Sequence, residues 1–252
     1  MEWRLLLTKF NDAFTNMAID EAIMIHRSKN KVPSTIRLYG WIPPAVSIGY
    51  FQSLEEEVNL KKCKEFGVDY IRRITGGGAV FHDKEVTYSC VVPINNPLMP
   101  TDILGSYKKI CSGLVKGLSH IGIESSFVPL NDIISNGKKI SGNAQTRKFH
   151  TILQHGTILI DTDVDKMFSL LKVPSEKLRD KMIKDIKERV TSINGILGRE
   201  VEFDSVCEAL AKGFREEFDV ELIEGKLSES ELKLAEKIAK ERYRDYKWNH
   251  KR

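Results

Sequence analysis

The sequence predicts an α+β layer architecture, in which strand-like and helix-like segments mix without a regular βαβ repeat. Three observations carry that expectation. Alternating or β-branched stretches recur at Ser34 to Tyr39, Val86 to Val92 and Thr151 to Ile160. Apolar residues recur at three- and four-residue steps through Ile103, Tyr107, Ile110, Leu114, Leu118 and Ile121. The 252 residues, 41% hydrophobic and 8% aromatic, have ordinary globular composition, and a chain of this length buries roughly 70% of its unfolded surface in one core.

In chain order, Phe14 to Arg27 reads as an amphipathic helix covering a sheet, with Asp20 and Glu21 turned away from its apolar face. Ile36 and Leu38 alternate with Arg37 and Tyr39 in a half-buried strand, and Ala45 to Gly49 forms another after the Pro43-Pro44 break. Glu57 to Phe66 is a short helix closed by Gly67. Val68 to Arg73 is a strand that runs into a glycine run, and strand pattern resumes at Val86 after the charged turn Asp83-Lys84-Glu85. The helix from Ile103 ends near Gly122, a left-handed cap position. Lys138 to Gln145 and Thr151 to Ile160 pair around a basic turn at Thr146-Arg147-Lys148. Beyond Asp161 the pattern is helical. Asp204 starts one helix, and Ser228 with Glu231 forms a capping box opening a charged helix to about Arg242.

Composition excludes several classes. The 39 Lys+Arg and 35 Asp+Glu leave a formal charge of +4 spread along the chain, without the concentrated stripe that nucleic acid requires. No apolar run reaches a membrane span, and Glu2, Arg4 and Lys9 interrupt any signal-peptide pattern, so a cytoplasmic protein is expected. Cys63, Cys90, Cys111 and Cys207 form neither a zinc pattern nor a disulfide framework.

The segment Arg72-Arg73-Ile74-Thr75-Gly76-Gly77-Gly78-Ala79-Val80-Phe81-His82-Asp83 carries the first chemistry. Glycines without Cβ atoms let an anion approach backbone N–H groups, and the arginines upstream offer forked charge for oxyanions. Neither a P-loop nor a dinucleotide fingerprint is present. A second cluster is Asn131-Asp132 with Gly137-Lys138-Lys139-Ile140-Ser141-Gly142-Asn143-Ala144. A strand lysine among small residues can neutralise a phosphate or carboxylate, and Asp132 can hold Mg²⁺ beside it. His155 lies in an apolar strand, as a hydrogen-bonded core residue or a second layer behind a site. Asp161, Asp163 and Asp165 start a calcium-loop pattern that Lys166 and Lys172 break at the sixth and twelfth positions.

Together, Arg-Arg-x-Thr-Gly-Gly-Gly-Ala-Val-x-His-Asp at 72–83, Asn131-Asp132, Lys-Ile-Ser-Gly at 139–142 and His-Gly-Thr at 155–157 resemble the lipoate-protein ligase A family over essentially the whole chain. The resemblance implies a mixed, largely antiparallel sheet flanked by helices, of the biotin and lipoate ligase and transferase type, in a single catalytic domain at 1–252. It implies that lipoate and MgATP form lipoyl-AMP, from which the acyl group passes to a lysine of a lipoyl domain of 2-oxoacid dehydrogenase E2 or of glycine-cleavage H protein. Arg72, Arg73, Gly76, Gly77, Gly78, Ala79, Val80 and Phe81 would bind nucleotide. Gly77, Gly78, Lys139 and His155 would meet the acyl substrate. Lys139 would act as an electrostatic catalyst on the carbonyl and α-phosphate, with Asp132 holding magnesium. Ile48, Tyr50 and Val80 would line an apolar tunnel.

The family's C-terminal accessory domain is not found in these residues, so a separate accessory subunit is one expectation. Two other readings remain open: an octanoyl- or lipoyl-transferase working through a cysteine thioester, and a non-catalytic ligand-binding subunit. The transferase reading lacks a thiol at both expected places, Val128-Pro129-Leu130-Asn131-Asp132 and Pro174-Ser175-Glu176.

Overall fold

A computed structural model describes residues 1–172 and 176–251. In chain order the elements are β1 (Glu2–Asn11), α1 (Ala13–Ser28), β2 (Thr35–Trp41), β3 (Ala45–Ile48), α2 (Leu54–Glu57), α3 (Leu60–Glu65), β4 (Asp69–Arg72), β5 (Val80–His82), β6 (Glu85–Pro93) and α4 (Ile103–Ser119). There follow β7 (Ser126–Val128), β8 (Asp132–Ser135), β9 (Lys138–Lys148), β10 (Thr151–Leu159), α5 (Val164–Leu170), α6 (Glu176–Arg189), α7 (Ile193–Leu197), α8 (Phe203–Phe218), β11 (Glu221–Glu224), α9 (Glu229–Ile238), a π-helical turn (Ala239–Tyr243) and α10 (Tyr246–Asn249).

Eight strands form the main sheet in the order β11-β1-β2-β6-β10-β9-β8-β7, and a small sheet runs β4-β3-β5. In the main sheet β1 pairs in parallel with β11 and β2, and every other pairing is antiparallel. This is the expected α+β fold, a mixed and largely antiparallel sheet flanked by helices. The β1-α1-β2 unit is a parallel crossover in the main sheet, and β3 and β4, joined through α2 and α3, form one in the small sheet.

Strand alternation divides the core into two layers. Ile36, Leu38, Tyr88 and Cys90 face α4 and α8, while Tyr39, Trp41, Val91 and Leu153 face α1 and α9. Ordinary two-sided burial thus explains why β2 is buried along its whole length. A third cluster of Val46, Ile48, Leu54, Val58 and Cys63 sits under the small sheet.

Asp20 and Glu21 depart most from the sequence expectation. Both are buried, at 1% and 2% exposure, and neither is turned to solvent. Asp20 lies over the middle of the sheet, where Arg37, Ser89 and His155 stand side by side on β2, β6 and β10. Its Oδ1 accepts from Arg37 Nη1 at 2.7 Å and Ser89 Oγ at 2.8 Å, and its Oδ2 accepts from the Tyr39 hydroxyl at 2.9 Å. Glu21 accepts from Tyr243 Oη at 2.8 Å and pairs with Arg242, which ties α1 to the π-helical turn.

Three boundaries also differ. The helix expected at Glu57 to Phe66 is two short helices, α2 and α3. Val58 between them is extended and bridges Leu171, and the Asn59 side chain caps α3. The turn expected at Thr146-Arg147-Lys148 belongs to β9, because Arg147 is held by the Thr101 and Asp102 carbonyls. The chain reverses at Phe149 and His150, both at positive φ. The final helix keeps its capping box at Ser228 and Glu231 but changes to π geometry after Ile238. No helix among the described residues is long and apolar enough to cross a membrane.

Breaking a buried ion pair from one side leaves a charge with nothing to offset its desolvation. Asp20→Asn should therefore cost about 3–5 kcal/mol in denaturant unfolding. A loss below about 1 kcal/mol would mean that the Asn16 and Thr8 oxygens alone satisfy Arg37.

Candidate functional site

Between the main sheet and the small sheet lies a cavity of 180 Å³. The glycine run forms one wall, supplying Gly77, Gly78, Ala79 and Val80, and β9 supplies Lys139, Gly142 and Asn143 opposite. Met17, Tyr39, Trp41, His82 and His155 are among the residues that close the remaining sides. The two motifs, about sixty residues apart in sequence, therefore meet across one space.

The glycine loop joins β4 to β5, the outer strands of the small sheet. Gly77 has φ +96°, and a Cβ on Gly49 would lie 2.0 Å from the Gly77 carbonyl oxygen, so this approach admits no side chain at Gly49. Among the described residues, the backbone N–H groups of Gly76 to Ala79 find no backbone acceptor. A row of amides without acceptors is what an anion-binding concavity needs.

The sequence reading aims both arginine forks at a ligand, and the structure directs their hydrogen bonds inward. Arg72 donates to the carbonyls of Gly49, Tyr50, Gln52, Trp248, Asn249 and Lys251, which fastens the C-terminal helix to the loop after β3. It does not line the cavity. Arg73 does line it, but its Nε meets Thr75 Oγ1 at 3.1 Å. Its Nη1 meets Ser47 O and Oγ at 3.1 and 3.0 Å, and its Nη2 meets the Gly76 and Gly78 carbonyls, each at 2.8 Å. Burial lowers its pKa to about 10, which still leaves it charged at neutral pH, so it offers the cavity a positive field without free donors.

On the opposite wall Asp132 pairs with Gly142 across β8 and β9, and a bulge follows at Ile133 and Ile134. The Lys139 side chain crosses over Gly142, where a Cβ would lie 3.0 Å from its Nζ, and reaches Asp132 Oδ1 at 2.7 Å. Asn131 and Asn143 clasp each other. Asn131 Nδ2 donates to the Asn143 carbonyl at 2.6 Å, and Asn143 Nδ2 to the Asn131 carbonyl at 2.9 Å. This holds the 128–132 turn to β9 and fixes the lysine–carboxylate pair. Among the described residues no three His, Cys, Asp or Glu side chains gather to hold a metal. Asp132, half-exposed beside Lys139, fits the sparse set that magnesium takes when phosphate oxygens supply most of its ligands.

His155 is buried behind the cavity, with Nε2 2.7 Å from Thr75 Oγ1 and Nδ1 3.5 Å from Asp20 Oδ2. Burial lowers its pKa, Asp20 opposes that, and Arg73 and His82 reinforce it. For Asp20, burial raises the pKa, but Arg37 and His155 outweigh it and hold the carboxyl below its usual range. Val80 lines the cavity as expected, whereas Ile48 belongs to the core of the small sheet and Tyr50 packs against Lys251 and Trp248. Tyr39, Trp41, Met17 and Ser47 form walls that sequence patterning did not single out. Tyr39 and Ser47 fall on strands read from the sequence, where such residues read equally as core.

The four cysteines are buried, and none lines the cavity. Burial pushes Cys63 up to about 11 and Cys111 and Cys207 up to about 12, and raises Cys90 further. The loop 128–132 holds no thiol, and Pro174-Ser175 lies outside the described residues, as does the side chain of Glu176.

A family model described as the lipoyl protein ligase A/B catalytic domain matches residues 12–215. Octanoyltransferase LipM of Brevibacillus brevis is 38% identical over 274 residues, covering 100% of this chain and 99% of that protein. Among solved structures, a bi-partite lipoate protein ligase of Thermoplasma acidophilum, described with its E2 lipoyl domain, aligns with a TM-score of 0.89 at 33% identity, over 99% of this chain and 96% of that one. Lipoate-protein ligase A bound with ATP aligns with a TM-score of 0.85 at 31% identity, over 99% of both chains.

A buried histidine that protonates less readily than in the unfolded chain contributes stability above the unfolded pKa, and that contribution is lost as pH falls. Unfolding free energy should therefore drop as pH is lowered below about 6.5, and His155→Gln should flatten the drop in denaturant melts. An unchanged slope in the variant would place the proton uptake on another group.

Proposed function

We propose, for a chain that belongs to the lipoyl protein ligase A/B catalytic-domain family, that it is an ATP-dependent ligase that joins a lipoyl or octanoyl group to a lysine of a lipoyl domain or of glycine-cleavage H protein. The observation that carries the reading is the pairing of Lys139 with unpartnered glycine-loop amides around a cavity that no cysteine reaches.

In the first step the acyl carboxylate attacks the α-phosphorus of ATP, an acyl–O–P bond forms, and pyrophosphate leaves. Two anions approach each other in that step, and their repulsion must be offset by fixed positive groups. The amides of Gly76 to Ala79 and the Lys139 ammonium are those groups, with the Arg73 charge behind them. Asp132 would hold Mg²⁺, which when bound neutralises phosphate oxygens. In the second step the acceptor lysine attacks the acyl carbonyl, an amide bond forms, and AMP leaves. Asp132, 2.7 Å from Lys139, fixes the ammonium at the cavity wall before substrate arrives. The aromatic and apolar side of the cavity, Met17, Tyr39 and Trp41, suits an alkyl tail.

A second reading, octanoyl transfer from a thioester, is favoured by the names of the relatives that match the full length of the chain. It requires a thiolate beside the lysine. The four buried sulfurs, with their raised pKa values, weigh against it.

Intact-mass analysis of an apo lipoyl domain separates the two readings. With lipoate and MgATP, the expected result is a gain of one lipoyl group and release of pyrophosphate. A gain only when octanoyl-carrier protein replaces acid and ATP would overturn the ligase reading in favour of the transferase. Pyrophosphate without mass gain would support activation and call for an accessory subunit. Removing one preorganised donor of this kind costs about 2.7–4 kcal/mol of barrier, so Lys139→Ala should lose roughly two to three decades in rate while melting like the parent protein. A near-parental rate would remove Lys139 from the mechanism.

A further inference from the structure

Arg73 is 5% exposed, and among the described residues its hydrogen bonds go to hydroxyls and carbonyls and none to a carboxylate. A guanidinium has five N–H donors. Here each has one acceptor: Thr75 Oγ1, Ser47 O, Ser47 Oγ, Gly76 O and Gly78 O. Both hydroxyl oxygens therefore accept a hydrogen bond from Arg73 and keep their own O–H to donate elsewhere.

Those two O–H groups have single destinations. Ser47 Oγ lies 2.7 Å from His82 Nε2, and Thr75 Oγ1 lies 2.7 Å from His155 Nε2. Each imidazole must then present a bare Nε2 and carry its proton on Nδ1. On that side His82 Nδ1 is hydrogen-bonded to Glu85 Oε1 at 2.7 Å, whereas His155 Nδ1 faces the Asp20 carboxylate at 3.5 Å, within ion-pair reach but without a hydrogen bond. A carboxylate–imidazole–hydroxyl chain through His82 and Ser47, and an imidazole–hydroxyl chain through His155 and Thr75 with the Asp20 charge behind it, thus converge on one guanidinium.

The surroundings reinforce the arrangement. Glu85 Oε1 also accepts from Thr87 Oγ1 at 2.6 Å, and Thr87 Oγ1 accepts from Trp41 Nε1 at 2.7 Å. The Trp41 ring stacks on His82 with centroids 4.0 Å apart. Asp20 is anchored by Arg37, Tyr39 and Ser89. His155 also faces the charge of Arg73 and the ring of His82.

We propose that His82 and His155 are positioning residues which, through Ser47 and Thr75, hold Arg73 and with it the carbonyls of Gly76 and Gly78. In a trans peptide the N–H points opposite to the carbonyl, so holding those two carbonyls on Arg73 aims the amides of Gly77 and Ala79 away from it. The neutral Nδ1–H form of both histidines is required. An imidazolium would donate from Nε2 to a hydroxyl already receiving from Arg73, leaving the O–H without an acceptor and loosening the grip on the loop. The orienting role stands on the geometry alone, and its consequence for nucleotide binding rests on the ligase reading.

The test uses the full chain without ligand. Imidazole ¹⁵N spectra at neutral pH should show both histidines protonated at Nδ1 and bare at Nε2, and an Nε2–H form of either would overturn the proposal. Hydrogen exchange of the Gly77 and Ala79 amides should speed by about tenfold in His82→Phe and His155→Phe, while amides of β6 keep their protection. His82→Gln and His155→Gln, which keep an acceptor near the Nε2 position, should restore slow exchange. Ser47→Ala combined with His82→Phe should be no worse than the more severe single variant, because both act on one chain of bonds. Unchanged loop exchange in folded Phe variants, equal behaviour of Gln and Phe, or simple additivity with Ser47→Ala would each overturn it. Should the Phe variants fail to fold, Ser47→Ala and Thr75→Val supply the exchange test. MgATP titration of the same proteins separates the two claims. Absence of binding by the parent protein counts against the ligase reading, while the exchange and ¹⁵N results still decide the positioning role.

Discussion

A buried guanidinium with no carboxylate at hand must be solvated by the chain itself, and much of the cavity's shape follows from that constraint on Arg73. Its Nη2 draws the Gly76 and Gly78 carbonyls to one point, which forces a tight reversal through Gly77 at positive φ. The reversal brings the Gly77 carbonyl against Gly49, where no Cβ fits. Gly77 is thus as much a requirement of folding the loop around a cation as of admitting a ligand, whereas a Cβ on Gly76 or Gly78 would meet nothing within 4 Å. What results is a positive charge whose hydrogen bonds face inward and whose field reaches the cavity, beside amides that have no internal acceptor. Arg72, the neighbouring residue, is satisfied the same way but by carbonyls of the C-terminal segment, so the two arginines fasten different parts of the chain to one strand end.

Asp20 does the corresponding work on the main sheet. It is buried beneath α1, and the donors it collects come from β2 and β6, with the β10 imidazole alongside. Helix α1 is located on the sheet by this carboxylate as well as by its apolar residues. A slip of one residue in strand register would turn Arg37, Ser89 or His155 to the opposite face of the sheet, so the polar cluster and the alternating core specify the same register. Buried polar groups of this kind contribute little net stability when satisfied and cost much when one partner is lost, which makes them effective at selecting one arrangement.

The layers were legible in the sequence because they follow from period. Ile36 and Leu38 alternate as a strand does, Ile110 and Leu114 repeat as a helix does, and the Ser228 capping box marks a helix start that the structure keeps. Asp20 was not legible. In a single helix, a charged residue beside an apolar stripe has the same pattern whether it meets water or a buried arginine from another strand. The site was partly legible for a related reason. Glycine runs and an isolated strand lysine have few bland explanations, so Gly77, Gly78 and Lys139 could be named, and they do line one cavity. Ser47 and Trp41 serve through contacts made by folding, and nothing in their local spacing distinguishes them from core; His82 stood in the glycine motif, but its bond to Ser47 appears only on folding. The direction of the arginine forks was misread because spacing reports which groups are near a loop, not which acceptors the loop's own carbonyls provide.

The same reasoning bears on how an acyl group would be activated here. A cysteine acyl carrier needs a thiolate in an electropositive, accessible place, and burial among apolar side chains works in the opposite direction by raising the thiol pKa. All four sulfurs of this chain are in that second situation, Cys90, Cys111 and Cys207 in the layer between the sheet and α4 and α8, and Cys63 under the small sheet. The electropositive, accessible place exists, but it is occupied by Lys139, Asp132 and a loop of free amides. Backbone amides and an ammonium held by a carboxylate stabilise anions. On the ligase reading proposed above, a site that stabilises anions, and that no cysteine among the described residues lines, is matched to chemistry in which the activated bond is made on the substrate, as in a mixed anhydride with phosphate. The sequence similarity to octanoyltransferases and the structural similarity to lipoate-protein ligases, one of them solved with ATP, are then compatible with one scaffold, on which the reading proposed above places the activated acyl group on the nucleotide.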